Sequence, residues 1–545
     1  MPTLTWVGKD KVVNHHLDVP FRVLQHEQHY QAPQDTPTNS TDNRIIHGDN
    51  LAALKSLLPE FEGKINCIYI DPPYNTGNES WVYNDAVNDP KIKKWLGQVV
   101  GKEGEDLSRH DKWLCMMYPR LKLLHRLLAK DGVIFVSIGD DELASLIMLM
   151  NEIWGGNNQA GIFIWKSRAK PSNVGNAKFK PQKVSEYVLA YTKKPDGVSY
   201  VSILSGGKRN YPHSLNNRKY RLQTILKSNR GENQRDTMRF EVAGFIPSDT
   251  QRWQGGKEFI HDLYQNGYIE FKNDIPFRRY FEDEEAEEHS PFYTFIYPEE
   301  SGTAETGKNV LNLILGNTHG FDTVKPIQVI ERLLSAVTQP DSIILDSYAG
   351  SGTTAHAVLK LNAQDQGNRR FILIEMEDYA DTITAERVRR VMSGYGEGNK
   401  QTTGLGGSFD YYTVGAAIFN PDDTLNEAVG VDVIRDYVSY AEGIAAEYRT
   451  PQNKHETLTA SPLEDWQSCS FTPYLLGLSP ETAWIFYYEL DEVTCLDLDF
   501  LGTLKFGNQK PATAIIYADK CLLTKEFLTK HGLIFKKIPR DITRF

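Results

Sequence analysis

The chain has 545 residues, enough for roughly three or four domains, with 40% hydrophobic and 24% charged residues and a formal net charge of −11. This composition is typical of a soluble globular protein, and no apolar run approaches the ~18 residues that a membrane-spanning helix needs. There is no signal-peptide pattern, and the five cysteines lie far apart without a CxxC pair, which argues against a zinc site and a disulfide framework. We therefore expect a cytoplasmic protein that holds no metal.

Strands and helices alternate from residue 41 to residue 199, after a polar N-terminal arm (1–40) that we expect to be loosely packed. The segment RIIHGDNLAALKSL predicts a strand, a turn and a helix, and INCIYI predicts a buried strand. PRLKLLHRLLAKDG predicts an amphipathic helix that stops at Asp131-Gly132. GVIFVSIGD, DDELASLIMLMNEIW and SEYVLAYTK then predict a strand, a helix and a strand. Such alternation is typical of a parallel, doubly wound sheet.

The alternation is absent from 200–320, a region that is first basic and then acidic. It resumes in 321–415 with a helix that has Pro326 in its first turn, followed by SIILDSYAGSGTTAHAVL and RFILIEMEDYADTITAERVRRV. We interpret 41–199 and 321–415 as two halves of one α/β, doubly wound and mostly parallel sheet, with 200–320 inserted between them. Residues 416–545 predict a further α/β domain.

The tetrapeptide Asp71-Pro72-Pro73-Tyr74 directly follows the buried strand INCIYI. Its two prolines make a stiff corner that donates no backbone N–H. The exocyclic amine of a nucleic-acid base is a poor nucleophile because its lone pair is delocalised into the ring. The Asp71 carboxylate and the Pro72 carbonyl can accept both amine hydrogens and aim the lone pair at a methyl group, while Tyr74 stacks on the base. A base must be flipped out of a duplex to reach this corner. The alternative is a simple strand-ending turn.

The segment ILDSYAGSGTTAHA (344–357) is the second candidate, because glycines after a strand let the backbone approach a ligand closely. It lacks the lysine of a P-loop after Gly352 and the third glycine of a dehydrogenase fingerprint, which disfavours ATP and dinucleotides. It better suits a nucleoside with a small charged tail. Glu375 ends the next strand, where an acid can accept both ribose hydroxyls. The alternative is that Asp346 and Glu375 only cap helices.

Together these motifs resemble those of the beta-class amino-group DNA methyltransferases, in which a DPPY segment precedes the glycine segment and a target-recognition region lies between them. The resemblance implies an S-adenosylmethionine-dependent methyltransferase fold with S-adenosylmethionine as methyl donor. Asp at the first tetrapeptide position implies adenine N6 as the target, since cytosine-N4 enzymes more often have Ser. One departure from the family pattern is the DSY triplet, with Tyr348 where Phe is usual. The implied catalytic residues are Asp71, Pro72, Pro73 and Tyr74, and the implied cofactor-binding residues are Asp49, Lys325, Pro326, Asp346, Ala349, Gly350, Ser351, Gly352, Thr353 and Glu375.

The likeness extends to the modification subunits of type III restriction–modification systems through IDPPYNTG, GLGGSFDYYTVG and the C-terminal FLTKHGLIFKKIPRDITRF. This resemblance implies double-stranded DNA as the substrate, a homodimer, and a separate restriction subunit with helicase and nuclease activity. The dimer or partner contact would fall in 416–545. The sequence has no helicase signature and no convincing nuclease motif, so any cleavage needs that ATP-driven subunit.

Cations are concentrated in two blocks, as binding of DNA by an acidic protein requires, because the overall field repels phosphate. Residues 166–194 carry many Lys and Arg against one acid, Glu186. Residues 205–239 carry cations interspersed with Asn and Gln, and we predict that they set the target sequence. The alternatives are a solvated face, or recognition by 416–545. The predicted DNA-binding residues are Lys208, Arg209, Arg218, Lys219, Arg221, Lys227, Arg230, Arg235 and Arg239.

The leading interpretation is a site-specific adenine-N6 DNA methyltransferase. Cytosine N4 or RNA as the target would keep the enzyme class, whereas a non-catalytic recognition subunit for a nuclease partner is a rival outside that class. Intact DPPY and AGSGT segments argue against that rival. Cytosine-C5 chemistry is disfavoured because no cysteine follows a proline. Trp165-Lys166 is a further candidate beside the flipped base, although core packing is the commoner role of a Trp at a strand end.

Overall fold

A computed structural model of the protein describes residues 3–76, 107–168, 181–200, 203–204, 210–230, 234–284, 289–450 and 472–543. The chain divides into two compact units, which we call the larger unit (Met1–Tyr200 with Tyr293–Phe545) and the inserted unit (Val201–Phe292). No helix in the described ranges is long and apolar enough to span a membrane.

The larger unit is built on a ten-stranded sheet. Its strands in chain order are β1 (Arg22–Gln31), β2 (Asn43–His47), β3 (Ile65–Ile70), β4 (Leu128–Ile138), β5 (Gln159–Trp165), β6 (Glu186–Thr192), β7 (Phe295–Ile296), β8 (Ile343–Asp346), β9 (Arg370–Glu375) and β10 (Ser408–Ala417). Their spatial order is β1-β10-β2-β9-β8-β3-β4-β6-β5-β7. The neighbouring strands from β10 to β4 all run parallel, and antiparallel pairs occur only toward the sheet's two ends. The predicted α/β fold with a mostly parallel sheet is confirmed.

Strands from both sides of the insertion are neighbours in this sheet. β8 pairs with β3 in the register Ile344↔Cys67, and β9 pairs with β2 in the register Ile374↔Ile46. These four residues are completely buried, as expected for parallel strands that are covered on both faces. The two sequence segments thus contribute neighbouring strands to one sheet.

Two groups of helices pack with the sheet. The first group, Asn50–Phe61, Leu107–Leu127 and Asp140–Trp154, shares one core with β3 and β4. The second group consists of Ala304–Leu315, Ile327–Val337, Thr353–Asp365 and Glu386–Ser393. Short helices span Lys9–Val12, His15–Asp18 and Pro298–Ser301.

The helix before β4 ends earlier than its sequence predicts. The leucine spacing predicts a stop at Asp131-Gly132, but the helix ends at Leu127, and β4 begins at the next residue. Leu128 pairs with Ile65 at the start of β3. This strand pairing between distant residues outweighs the helical spacing of the leucines. No local sequence pattern could reveal the pairing.

The N-terminal segment is packed rather than loosely attached. β1 pairs antiparallel with β10 at the edge of the sheet, and Trp6, Val12 and Val19 are buried in the core shared with helix Leu107–Leu127. The sequence of β1, RVLQHEQHYQ, is polar because most of its side chains are exposed on the edge strand. The polarity of this segment predicts a loosely packed arm, but its backbone forms a strand.

Residues after β10 add a second sheet to the larger unit. Its four strands, in spatial order, are Leu475–Leu478, Thr482–Phe486, Thr513–Ala518 and Leu533–Lys537. Helices Val431–Ala441, Leu498–Thr503 and Lys525–Lys530 accompany it. This part has the expected α/β character, and its role in dimer or partner contact stays a prediction.

The inserted unit contains a four-stranded antiparallel sheet in the order Ile269–Lys272, Ile275–Phe281, Arg218–Thr224 and His213–Leu215. Helix Lys257–Gln265 and the paired strands Leu226–Ser228 and Gln251–Trp253 help to build its core. Residues 293–320 lie in the larger unit, since β7 pairs there with β5. The assignment of 200–320 to target recognition stays a prediction.

Candidate active site

An open cavity of about 760 Å³ lies where β3 and β8 end. Parallel pairing places the carboxyl ends of these strands at the same edge of the sheet, the usual position of ligands in such folds. The predicted residues that line this cavity are Asp71, Pro72, Pro73, Tyr74, Lys325, Asp346, Ala349, Gly350, Ser351 and Thr353. Asp49, Pro326, Gly352 and Glu375 are not part of its lining.

The tetrapeptide corner is held from behind by hydrogen bonds. The indole N–H of Trp113, which is fully buried, donates to the Pro73 carbonyl at 2.7 Å. Asn75 has a left-handed backbone and a buried side chain whose amide donates to the carboxylate of Glu142. No described residue donates to the Pro72 carbonyl. The corner is therefore fixed, and the Pro72 carbonyl remains able to accept a hydrogen bond.

Lys325 lies at the centre of the polar groups on this side of the cavity. Its ammonium donates to both Asp71 oxygens at 3.0 and 2.9 Å and to the Tyr74 hydroxyl oxygen at 2.8 Å. It also lies 3.1 Å from a Glu186 oxygen, to which the Tyr74 hydroxyl donates at 3.0 Å. Burial by itself lowers the pKa of Lys325, but the neighbouring carboxylates outweigh it and hold that pKa well above its usual value. Lys325 is therefore charged.

Glu186 is a site residue that the sequence analysis missed. It begins β6 and lines the cavity. Burial tends to raise its pKa, but the Lys325 ammonium outweighs burial and lowers that pKa below its usual value, so Glu186 stays ionised. The sequence feature that could have identified Glu186 is its position as the one acid in the basic block 166–194. Trp165 is 99% buried in the core, donates to the Gly302 carbonyl, and has its ring centroid 5.8 Å from the Lys325 nitrogen.

The glycine segment forms a tight turn between β8 and helix Thr353–Asp365. Gly350 and Gly352 have φ values of +52° and +77°, a region that favours glycine. A Cβ on Gly352 would also lie 3.1 Å from the Thr384 carbonyl oxygen. Asp346 accepts hydrogen bonds from the Tyr348 amide at 3.0 Å and the Thr354 hydroxyl at 2.5 Å. Both glycines are thus required by backbone conformation.

Glu375 holds this turn instead of lining the cavity. Its carboxylate accepts from the backbone amides of Gly350, Met376 and Glu377 at 2.7, 2.9 and 3.1 Å. Glu377 and Tyr379 line the cavity beyond it, and one Glu377 oxygen has no hydrogen-bond partner among the described residues. Glu377, which the sequence did not single out, is thus a carboxylic acid in the cavity wall on this side.

Asp49 and Pro326 begin helices near the site. Asp49 accepts from the Ala52 amide at 2.9 Å and caps helix Asn50–Phe61. The side chain of Asn50 donates to the Ser347 carbonyl at 3.2 Å and so ties this helix to the glycine segment. Pro326 is the N-cap of helix Ile327–Val337 and fixes the chain direction just after Lys325.

The predicted DNA-binding residues differ in their surroundings. Lys208 and Arg209 lie outside the described residues. Arg218 is paired with Asp283 and Glu284, and Arg239 is paired with Asp249. Arg221 stacks on the ring of Tyr280, 4.8 Å from its centroid. The remaining four, Lys219, Lys227, Arg230 and Arg235, are exposed.

Neighbouring arginines of strand Ile275–Phe281 lie on opposite faces of the inserted unit's sheet. Arg278 stacks on Tyr280 at 4.7 Å, and no described carboxylate lies within ion-pair distance of it. Arg279 instead pairs with Glu270 at 3.1 Å and stacks on Tyr220. Both arginines lie beyond the basic block 205–239, so neither is among the predicted DNA-binding residues.

Comparison with known proteins gives one family match and several relatives. A family model described as DNA methylase matches residues 65–386. The EcoPI Mod subunit, a type III restriction–modification enzyme of Escherichia phage P1, is 30% identical over 69% of this chain and 64% of its own length. The corresponding StyLTI Mod subunit of Salmonella typhimurium is 29% identical over 67% and 59%. The chain thus spans about three-fifths of these two relatives.

The type II methyltransferase M.KpnI of Klebsiella pneumoniae is 30% identical over 62% of this chain and 82% of its own length. Among solved structures, an M1.HpyAVI–SAM complex aligns with 63% of this chain and 97% of its own at 13% identity and a TM-score of 0.29. The cytosine-N4-specific PvuII DNA methyltransferase aligns with 65% and 89% at 14% identity and a TM-score of 0.34.

Burial of Asp346 predicts a pH-dependent stability. Burial raises the pKa of this carboxyl from 3.8 to about 7, against the hydrogen bonds from Thr354 and Tyr348. The stabilising protonated form is therefore fully present below pH ~4 and is lost as the pH rises through 7. Asp346→Asn, which stays neutral, should gain several degrees in melting temperature relative to wild type between pH 5 and pH 8, measured by differential scanning calorimetry.

Asp341→Asn is the matched control, because Asp341 is exposed just before the same strand. The difference in melting temperature between Asp341→Asn and wild type should not vary with pH. A constant difference for Asp346→Asn over the same range would contradict the prediction.

Proposed function

The chain belongs to the DNA methylase family, and from this premise we propose that it methylates the exocyclic N6 amine of an adenine flipped out of double-stranded DNA. The observation that carries the proposal is that one cavity is lined both by Asp71 and Pro72 and by the glycine segment. One wall offers acceptors for an amine, and the other offers a turn suited to a nucleoside.

The glycine side fits S-adenosylmethionine, which supplies an electrophilic methyl group on a sulfonium when bound. Gly350 and Glu377 both line the cavity, where the Glu377 carboxylate can accept a ribose hydroxyl. Phe321 and Tyr379, whose rings are 5.1 Å apart, add an aromatic wall for the adenine of the cofactor. These features support S-adenosylmethionine as the cofactor.

The residues of the corner prepare the amine. Asp71 and the Pro72 carbonyl would accept its two hydrogens, which draws the nitrogen away from conjugation and directs its lone pair into the cavity. The bound cofactor would supply the methyl group and retain the C–S electron pair as a thioether, and the proton that the amine nitrogen loses would pass to water in the open cavity. The Asp71 carboxylate, aligned with that N–H, stabilises the positive charge that develops on the nitrogen.

Adenine is our choice of base, with cytosine N4 as the alternative, because the tetrapeptide begins with Asp. The test is incubation of the purified protein with labelled S-adenosylmethionine and unmethylated duplex DNA, followed by nucleoside mass spectrometry. We expect N6-methyldeoxyadenosine. N4-methyldeoxycytidine would overturn the choice of base, label in a parallel RNA sample alone would overturn the choice of DNA, and no label in either would overturn the activity.

We further propose that the chain is the modification and recognition subunit of a type III restriction–modification system. The support is its similarity to two Mod subunits over two-thirds of its length. Such a role requires a separate restriction subunit and, in our proposal, a homodimer. Mass photometry of the purified chain would test the dimer, and co-purification with a co-expressed type III restriction subunit would test the complex.

Asp71→Asn should lower the rate of methyl transfer by about 100-fold or more, because the amide cannot match the carboxylate in stabilising charge on the amine. Affinity for S-adenosylmethionine should stay within about twofold of wild type. Single-turnover transfer of labelled methyl groups and titration calorimetry measure the two quantities.

Glu377→Gln is the contrasting variant in the same cavity. It should weaken S-adenosylmethionine binding about tenfold and leave the rate at saturating cofactor near that of wild type. Near-normal turnover of Asp71→Asn would refute the catalytic assignment.

For target recognition we propose the face of the inserted unit that carries Arg278, Tyr280 and Arg221. Arg278→Ala should weaken DNA binding about tenfold and reduce the slope of log Kd against log salt by about 1, since one phosphate contact is lost. Arg279→Ala is the matched control on the opposite face, where Glu270 already pairs with the cation, and it should leave the slope unchanged. Fluorescence anisotropy at 50–200 mM salt measures both, and equal slopes for the two variants would exclude this face.

A further inference from the structure

The Lys325 ammonium occupies the acceptors that the proposed chemistry reserves for the substrate. It donates to both Asp71 oxygens at 3.0 and 2.9 Å and to the Tyr74 hydroxyl at 2.8 Å. An ammonium and an exocyclic amine make the same demand on this corner, since both bring N–H donors to a carboxylate. We propose that Lys325 is a displaceable stand-in for the target amine and that Glu186 receives it when the base enters. This inference rests on the proposed function.

Lys325 cannot keep its place during methyl transfer. It competes with the amine for the same Asp71 lone pairs, and the methylated nitrogen carries positive charge until its proton leaves. A cation beside Asp71 would oppose that charge in a partly buried site, where electrostatic interactions are strong. The ammonium must therefore move away from Asp71 without leaving its own charge unpaired.

Glu186 supplies the second position. Its carboxylate lies 3.1 Å from the Lys325 nitrogen, is 16% exposed, and already accepts a hydrogen bond from Tyr74 at 3.0 Å. The Trp165 ring, 5.8 Å from the same nitrogen, adds a cation–π surface. A short shift of the ammonium from Asp71 toward Glu186 keeps it paired, which a buried lysine requires.

This exchange gives the site a way to select bases. A base with an exocyclic amine replaces the hydrogen bonds that Asp71 loses when Lys325 withdraws. A base that presents a carbonyl or no group at that position leaves Asp71 unpaired, so Lys325 stays and the base is excluded. Lys325 and Glu186 are in this sense positioning residues, which act on the substrate through Asp71.

The test combines Glu186→Gln, Lys325→Met and the double variant, with Lys325→Gln as a second neutral replacement should Lys325→Met fail to fold. Lys360→Met is the control, because Lys360 forms a comparable pair with Glu331 at 2.8 Å outside the cavity. After the target site has been mapped, single-turnover methyl transfer is measured at saturating S-adenosylmethionine. Binding is measured for duplexes with adenine or with unsubstituted purine at the target position, and calorimetry gives cofactor affinity without DNA.

Glu186→Gln should slow methyl transfer at least tenfold, because the ammonium then has only Asp71 as a charged partner. Adding Lys325→Met should restore most of that rate, and Lys325→Met alone should reduce discrimination between adenine and purine about tenfold. Cofactor affinity should stay within twofold, and Lys360→Met should resemble wild type in every measurement.

Additive losses in the double variant, or a loss of cofactor affinity in Lys325→Met with discrimination intact, would overturn this inference while the methyltransferase proposal stands. A wild-type protein that transfers no methyl group to any base overturns both.

Discussion

The parallel pairing of β3 with β8 is the contact on which the rest of the site depends. One strand precedes the inserted unit and the other follows it, yet the register Ile344↔Cys67 brings their carboxyl ends to one edge of the sheet. The tetrapeptide after β3 and the glycine segment after β8 therefore line one cavity. Burial of apolar strand residues stabilises this register, so the chemistry at the edge depends on hydrophobic packing in the centre.

Much of this arrangement could be predicted from local sequence. Asp71 to Tyr74 and Ala349 to Thr353 lie at strand ends that the apolar runs mark clearly, and the required glycines have positive φ values that restrict the choice of residue. The strand–helix alternation predicts the sheet, and the loss of alternation after residue 200 indicates an insertion. Each of these features is determined by a stretch of a few residues, so it can be predicted from local sequence.

The features that were missed depend on contacts between distant segments. Glu186 enters the site because β6 lies beside β4. Lys325 is a predicted site residue, but its pairing with Asp71 spans 254 positions of sequence. Because Leu128 pairs with Ile65, the helix before it is shorter than the leucine pattern predicts. Because β1 pairs with β10, a polar segment forms a strand. Local patterns carry no information about such partners. The same holds for Arg218, whose charge is paired with Asp283 rather than free.

The alternation of Arg278 and Arg279 has a consequence for how the inserted unit can diverge. Successive residues of a strand point to opposite sides of the sheet, so deletion or insertion of one residue in Ile275–Phe281 would exchange the environments of the two arginines. A single codon gained or lost could thus present a different row of side chains to solvent. β3 and β8 belong to another compact unit, so their register would be preserved. The side chains exposed by the inserted unit and the geometry of the site after β3 and β8 can therefore evolve independently.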